Sequence, residues 1–446
     1  MPEPTACDLL ISDAVVIPGD GPALGGVSVA VRGDRIHAIG AAADFAPAHR
    51  IDARGGILLP GLVNTHSHTP LMVVRGMVED LGFAPAYTKG IPQGHWLSAE
   101  EAYHLARLGA YELLRAGSTT AVDFYLHPEA LARAAAEVGL RAFIGGRIAD
   151  VDTAELAEGR VRHDPALGEA LLAESLDLFA RWDGAERGRI RCILAPHAPD
   201  TCSRALLKAV GEEARRRDLG LHTHLAQSKG EVEAVRAREG MAPHELLDEL
   251  GLLNDRLLAA HCIWLEPGEI ARVGAAGMNV AHAPIGNAAH GGIAPIMALR
   301  DAGANITLCT DTKSADMFES MRLAIGVARV KGAGYAIKTA EVLGWATANG
   351  ARALGLEGDI GIIRPGAKAD LVLLDAEAPN LRPVVDGTGI VVHSGSGANV
   401  RTVVIDGRVM LEDGRPTLFD GAEVVREAQK VADGLWRRAG RAPVTG

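Results

Sequence analysis

Hydrophobic positions fall into two styles along this chain. At both ends they come in short runs broken by turn dipeptides: residues 9–17, 27–32, 35–39 and 56–59, then 370–375, 400–405 and 408–411. Runs of this length between Gly-Asp, Gly-Pro and Asp-Gly turns predict strands. Neither end holds enough strands for a stable sheet, so both are expected to pair into one β domain. In the middle, strand-like runs at 58–66, 119–125, 141–147, 189–195, 219–225, 257–262, 278–282 and 304–310 alternate with mostly helical patterns. Roughly eight such β/α units are what a closed parallel barrel needs. The expected fold is therefore α/β, a (β/α)₈ TIM barrel over residues 61–360 flanked by residues 1–60 and 361–446, the latter ending in a helix.

One helix start is explicit. Ser98 and Glu101 form a capping-box pattern, Ala102, Leu105 and Leu108 follow at three-residue steps, and Gly117 lies beyond the end. Gly220, Gly277 and Gly303 precede strands, as C-cap glycines do. Residues 69–97 lack a period and predict a long loop at the end of the first barrel strand, where substrate pockets are shaped.

Composition narrows the function. Aromatics are only 4% of the 446 residues while glycines number 53, which suits many buried strands joined by short loops. A formal charge of -11 argues against general attraction to nucleic acid or anionic lipid and is compatible with a small neutral or zwitterionic substrate. Cys7, Cys192, Cys202, Cys262 and Cys309 are an odd set without CxxC spacing, so neither a disulfide framework nor a thiolate zinc site is indicated. No basic, apolar leader and no membrane-length apolar run is present, so a cytoplasmic location is expected.

The chemistry sits at strand ends. His66 and His68 close the first barrel strand two residues apart, which puts both side chains on one face. His222 and His224 close the fifth, His261 the sixth, His282 the seventh and Asp311 the eighth. Barrel active sites occupy this C-terminal rim, and imidazoles with one carboxylate suit Zn²⁺ or Fe²⁺. A lone strand-end histidine is ordinarily a hydrogen-bonded polar residue, and Asp311 alone reads equally as a helix cap. Five strands of one barrel ending this way is a different matter, and it points to one metal.

These segments resemble the amidohydrolase superfamily, in the branch of triazine hydrolases, S-adenosylhomocysteine and adenosine-type deaminases, guanine deaminase and 8-oxoguanine deaminase. The resemblance runs nearly end to end: LLPGLVNTHSHTP at 58–70, RAGSTTAVDFY at 115–125, PHAPDTCS at 196–203, HTHLAQS at 222–228, AAHCIWL at 259–265, NVAHAPIGN at 279–287, CTD at 309–311, DMFESMRLA at 316–324 and GIIRPGAKADLVLLD at 361–375. It implies that His66, His68, His224 and Asp311 bind one divalent ion, zinc first and iron second. It implies His261 beside the water and the substrate, His197 hydrogen-bonded to the ring, and a terminal β-sandwich; Trp96 against the ring and Gln227 are further candidates for binding substrate, Gln227 also for catalysis. It also implies a homodimer or higher oligomer. Strand geometry alone does not choose between His222 and His224. The implied reaction is hydrolytic deamination of a purine, pterin or triazine-type ring, with Asp311 accepting the proton that water sheds.

The chain departs from the branch at Gln227, where HxHLAE normally supplies a proton-shuttling Glu. An amide cannot relay a proton near neutral pH, and general acid–base help is worth roughly a hundred- to ten-thousand-fold. Asp311 carrying both transfers, or Glu231 one helical turn on, are the substitutes, although Glu231 in KGEVEAVRARE reads first as a solvated helix residue. Otherwise the leaving group needs no proton, as in dechlorination, or a cyclic amide is opened. A protein that keeps pocket and metal but only binds is the remaining class, and the intact ligand set argues against it. Trp264, Ala283, Gly286, Thr312 and Lys313 depart too, which points away from the commonest substrates. His290 and Lys313 are candidate pocket residues, although loop residues of this kind ordinarily face solvent.

Overall fold

The computed structural model describes residues 3–81, 84–92, 94–312 and 314–441. Parallel strands run in chain order round a barrel: Leu62–Ser67, Ser118–Tyr125, Arg141–Ile148, the broken pair Ile190–Cys192 and Ala195–Pro196, Leu221–Leu225, Leu257–His261, Asn279–His282 and Asn305–Leu308. They hydrogen-bond as two sheets, and parallel bridges Leu194–Leu221 and Ser67–Asp311 join the sheets at both seams. Asn64 clasps the second seam: its Nδ2 donates to Thr310 Oγ1 at 2.7 Å and its Oδ1 accepts from the Thr310 amide at 3.2 Å.

The strands Ser118–Tyr125 and Arg141–Ile148 are buried on both faces, as a sheet lined by helices outside and side chains inside requires. Val122, Phe143, Ile193, Leu258, Ala260 and Ala281 fill the barrel interior. Outside it the helix Ala99–Arg115 starts as expected, with Ser98 Oγ accepting from the Glu101 amide at 3.2 Å and Glu101 Oε2 from the Ser98 amide at 2.9 Å. The expected loop 69–97 instead winds into short turns, Thr69–Val74, Val78–Leu81, Pro85–Tyr87 and Gly94–Trp96.

The run 58–66, read as one strand, divides at Gly61. Ile57–Pro60 belongs to the terminal sheet and Leu62–Ser67 to the barrel. A Cβ on Gly61 would fall 2.0 Å from Thr119 Oγ1, so the chain crosses between the two units where no side chain fits. Both ends do pair: Leu58, Leu59 and Pro60 face Leu373, Val372 and Leu371 in an antiparallel ladder at the centre of a nine-stranded sheet. Buried Arg141, at the start of the third barrel strand, is clamped by Asp370 at 2.9 and 3.1 Å and by Asp406 at 2.5 Å. The final helix, Gly421–Arg438, returns to the barrel rim, where Trp436 Nε1 donates to the Val73 carbonyl at 2.8 Å and Arg438 pairs with Glu101 at 2.9 Å. No described helix is long and apolar enough to cross a membrane.

Candidate metal centre and active site

The strand-end side chains converge. His66, His68 and His224 offer ligand atoms within 4.8 Å of one another, as do His66, His261 and Asp311. Asp311 Oδ1 lies 3.7 Å from His66 Nε2 and 3.9 Å from His68 Nε2, and His68 Nε2 lies 3.3 Å from His224 Nε2. Each ring is turned by a bond at its other nitrogen. His68 Nδ1 donates to the Phe124 carbonyl at 2.7 Å and His224 Nδ1 to the His197 carbonyl at 2.6 Å. His261 Nδ1 is held by Asn287 Oδ1 at 2.9 Å. Nε2 is thereby left free on all three rings, the arrangement that orients metal ligands.

The second HxH resolves here. His222 does not face the centre. Its Nδ1 donates to the Leu258 carbonyl at 2.9 Å, so its Nε2 accepts from His66 Nδ1 at 2.7 Å, and His66 is left with Nε2 as an acceptor. That atom is buried and has no hydrogen-bond partner among the described residues. Burial, reinforced by neighbouring imidazoles, holds His66 and His224 well below the ordinary histidine range, and burial brings His222 down to about 3. Neutral imidazole is the ligating form.

Backbone strain marks the same rim. Asp311, His261 and Ala226 adopt left-handed φ of 58°, 75° and 49° just where the eighth, sixth and fifth strands end. Non-glycine residues take such angles only where surrounding structure imposes them.

An open cavity lies over this centre, lined by His68, His197, His224, His261, Gln227 and Asp311 among others. His197 is fixed by its Nδ1 at 2.7 Å from Thr201 Oγ1 and lies with its ring 4.7 Å from that of His224. Gln227 Nε2 is buried without a partner among the described residues. His290, expected at the surface, lines the cavity with Gly286 and Thr312. Trp96, expected against the ring, is not among the lining residues. It packs on the hydrophobic core, and its carbonyl accepts from Arg438 at 3.2 Å. Trp264 also lies off the cavity, 38% exposed and capped by Lys229. Lys313 lies outside the described residues.

Glu231 corrects its reading as a solvated helix residue. It is 1% exposed, and its two oxygens accept from the amides of Ala226 at 2.9 Å and Gln227 at 2.8 Å. Burial, then repulsion from Asp200, pushes its carboxyl up to about 8. With both oxygens engaged by backbone, it holds the Gln227 turn in place rather than entering the cavity. Sequence reasoning also passed over Arg147, Tyr87, Tyr125 and Asn287, which line the cavity. Arg147 and Tyr125 were discoverable as strand-end residues. Tyr87 and Asn287 arrive through loops, whose path no periodicity reveals.

Comparison with known proteins agrees with this geometry. Residues 57–410 match the amidohydrolase family. The chain is 34% identical over 441 residues to a 5'-deoxyadenosine deaminase of Methanosarcina mazei, covering 97% of this chain and 99% of that one. It is 35% identical over 433 residues to a 5-methylthioadenosine/S-adenosylhomocysteine deaminase of Moorella thermoacetica, covering 95% and 98%. A zinc-bound adenosine deaminase structure from Xanthomonas campestris superposes with a TM-score of 0.87 at 30% identity, over 97% of this chain and 99% of that one. A zinc-complexed atrazine chlorohydrolase of Arthrobacter aurescens shares the fold, with a TM-score of 0.82 at 24% identity over 95% and 100%. By its sequence from strand to strand and by the fold that carries its histidines, the chain belongs to the amidohydrolase family.

Proposed function

We propose that this protein is a metal-dependent aminohydrolase that replaces the exocyclic amine of a nitrogen heterocycle, a purine, pterin or triazine type of ring, with oxygen and releases ammonia. The observation that carries the reading is the convergence of His66, His68, His224, His261 and Asp311 beneath an open cavity. The family relatives named as deaminases of adenosine derivatives support it and put an aminated purine first.

The residues fit a divalent ion. Neutral imidazoles with one carboxylate are the donor set zinc prefers, and the buried, unpartnered Nε2 of His66 is costly unless something binds it. His66, His68, His224 and Asp311 would hold that ion, zinc first and iron second. Such an ion lowers the pKa of water from about 15.7 to about 7 and so supplies a nucleophile at neutral pH.

The chain's own groups do the rest. Asp311 accepts the proton that water sheds on attacking the ring carbon. His261, turned by Asn287, presents Nε2 to the same space within reach of Asp311, and shares with it the proton that water sheds, stabilising charge developing on the ring until that proton goes back through Asp311. His197 orients the ring, and the free Gln227 amide donates to a ring nitrogen. Because Gln227 cannot carry a proton, Asp311 also returns one to the leaving amine. On the same reading the enzyme is cytoplasmic and a homodimer or higher oligomer, with residues 61–360 as barrel between the sandwich segments 1–60 and 361–446. The five cysteines are buried free thiols, which suits a reducing compartment.

Gln227 favours one second reading, displacement of a leaving group such as chloride, or opening of a cyclic amide, where no proton shuttle is needed. Metal-loaded protein incubated with aminated purines, pterins and triazines, alongside chlorotriazines and cyclic amides, separates the two. Ammonia from an aminated ring is expected. Chloride release or ring opening with no ammonia from any ring overturns the deaminase reading.

A further inference from the structure

The third barrel strand buries two guanidiniums, Arg141 and Arg147, each 3% exposed. Arg141, at the floor, is neutralised by Asp370 and Asp406. Arg147, at the rim, has no such partner among the described residues. Among the described residues its one hydrogen-bond contact is Nη2 to His197 Nδ1 at 3.5 Å, an atom already 2.7 Å from Thr201 Oγ1. The side chain faces the cavity. A buried, always-charged group without a counter-charge is strongly unfavourable, so a site that keeps one is built to receive an electron-rich atom.

The contact with His197 says more. A guanidinium only donates, so Nδ1 of His197 is the acceptor in that pair, and the ring proton then sits on Nε2. His197 and Arg147 therefore present donors side by side along one wall of the cavity. His197 stands against the ligand ring of His224, which puts this wall beside the reacting ring rather than at a distant tail. An adenine edge offers only ring nitrogens to such a wall, and these do not need a full positive charge.

We infer that Arg147 is a specificity-determining residue that selects a ring carrying an oxo oxygen, neutral or ionised, on the edge facing His197. The natural substrate class is thus an aminated, oxo-substituted heterocycle rather than a plain adenine. This rests on the aminohydrolase reading and narrows it. Charge-assisted, two-pronged hydrogen bonds to an oxyanion discriminate by about tenfold to a hundredfold over a ring that lacks the oxygen.

The test compares the metal-loaded full chain with Arg147→Met and Arg147→Lys. Ammonia release is followed from adenosine, its 2-oxo and 8-oxo derivatives, and S-adenosylhomocysteine, whose carboxylate lies on a tail. Binding of xanthine and purine, which have no exocyclic amine to lose, is measured by calorimetry. One oxo ring is expected to exceed adenosine in kcat/KM by about tenfold to a hundredfold, with that ratio collapsing in R147M and partly kept in R147K. Xanthine is expected to bind more tightly than purine in wild type only. Equal losses on every ring in R147M, or a loss confined to S-adenosylhomocysteine, overturns the inference, the second in favour of a tail carboxylate. Should no ring release ammonia while Arg147-dependent xanthine binding persists, the aminohydrolase reading falls and the oxo-ring assignment stands.

Discussion

His66 Nδ1 lies 2.7 Å from His222 Nε2, and His222 in turn donates from Nδ1 to the Leu258 carbonyl at 2.9 Å. This chain of bonds leaves one tautomer for each ring and aims His66 Nε2 at Asp311. His222 is thereby a positioning residue. Removing it in His222→Ala is expected to weaken metal affinity by about ten- to a hundredfold, the usual effect of losing a partner that orients a ligand. His222→Gln, whose amide oxygen can accept from His66, should lose less. Competitive chelation of the loaded proteins measures both, and equal retention in the two variants would refute the role.

Gly286 bears on Asp311 in a simpler way. A Cβ there would stand 2.9 Å from Asp311 Oδ2, closer than real Cβ contacts occur, so Gly286→Ala must turn the carboxylate or shift its own turn. Metal content after dialysis and kcat are both expected to fall, kcat by about tenfold or more, because a misplaced catalytic group loses its orientation. A fully loaded, fully active G286A would show that the carboxylate has room to spare.

Much of this arrangement is legible from strand ends alone. His66, His68, His224, His261 and Asp311 were each placed by counting to the end of a hydrophobic run, and the barrel rim does the rest. The choice of His224 over His222 was not legible, because both side chains share a face of the fifth strand, and what separates them is depth against the first and sixth strands. Glu231 was misread for a similar reason. Its charged neighbours suggest a solvated helix face, but the residue sits in the first turn, where the left-handed Ala226 folds two amides back onto it. Trp96 fell out of the cavity because the short helical turns of the rim, not a strand, decide where it packs.

Glu231 gives a pH signature. Burial raises its carboxyl to about 8, far above the unfolded value of about 4.3. Between these values the folded protein binds the proton that the unfolded chain releases, so this group's contribution to stability is full in acid and lost as pH rises through about 8. The slope from this one site is at most about 1.4 kcal/mol per pH unit. Glu231→Gln removes it, so unfolding midpoints measured from pH 5 to 9 should decline less steeply in the variant than in wild type. At neutral pH E231Q still loses an acceptor for a buried amide, and kcat should drop as the Gln227 turn loosens. Parallel stability profiles would mean that Glu231 is ionised throughout.

Gln227 remains the position on which the reaction type turns. Its Nε2 is buried and unpartnered in the cavity, so Gln227→Glu places a carboxyl where the branch normally keeps one, with no change in size. If amines leave from this site, a group able to take and return a proton should speed their departure. With Asp311 in its proposed role on the water side, the expected gain in kcat is about tenfold, the low side of what general acid–base assistance supplies. A chloride leaves without a proton and gains nothing, and a carboxylate beside it repels the departing anion, so any chloride-releasing activity should fall in the same variant. The comparison of ammonia and chloride release by wild type and Q227E therefore carries the sign of the answer. A fall in ammonia release on Gln227→Glu would mean that the amide donates to a ring nitrogen throughout and that Asp311 alone moves the protons.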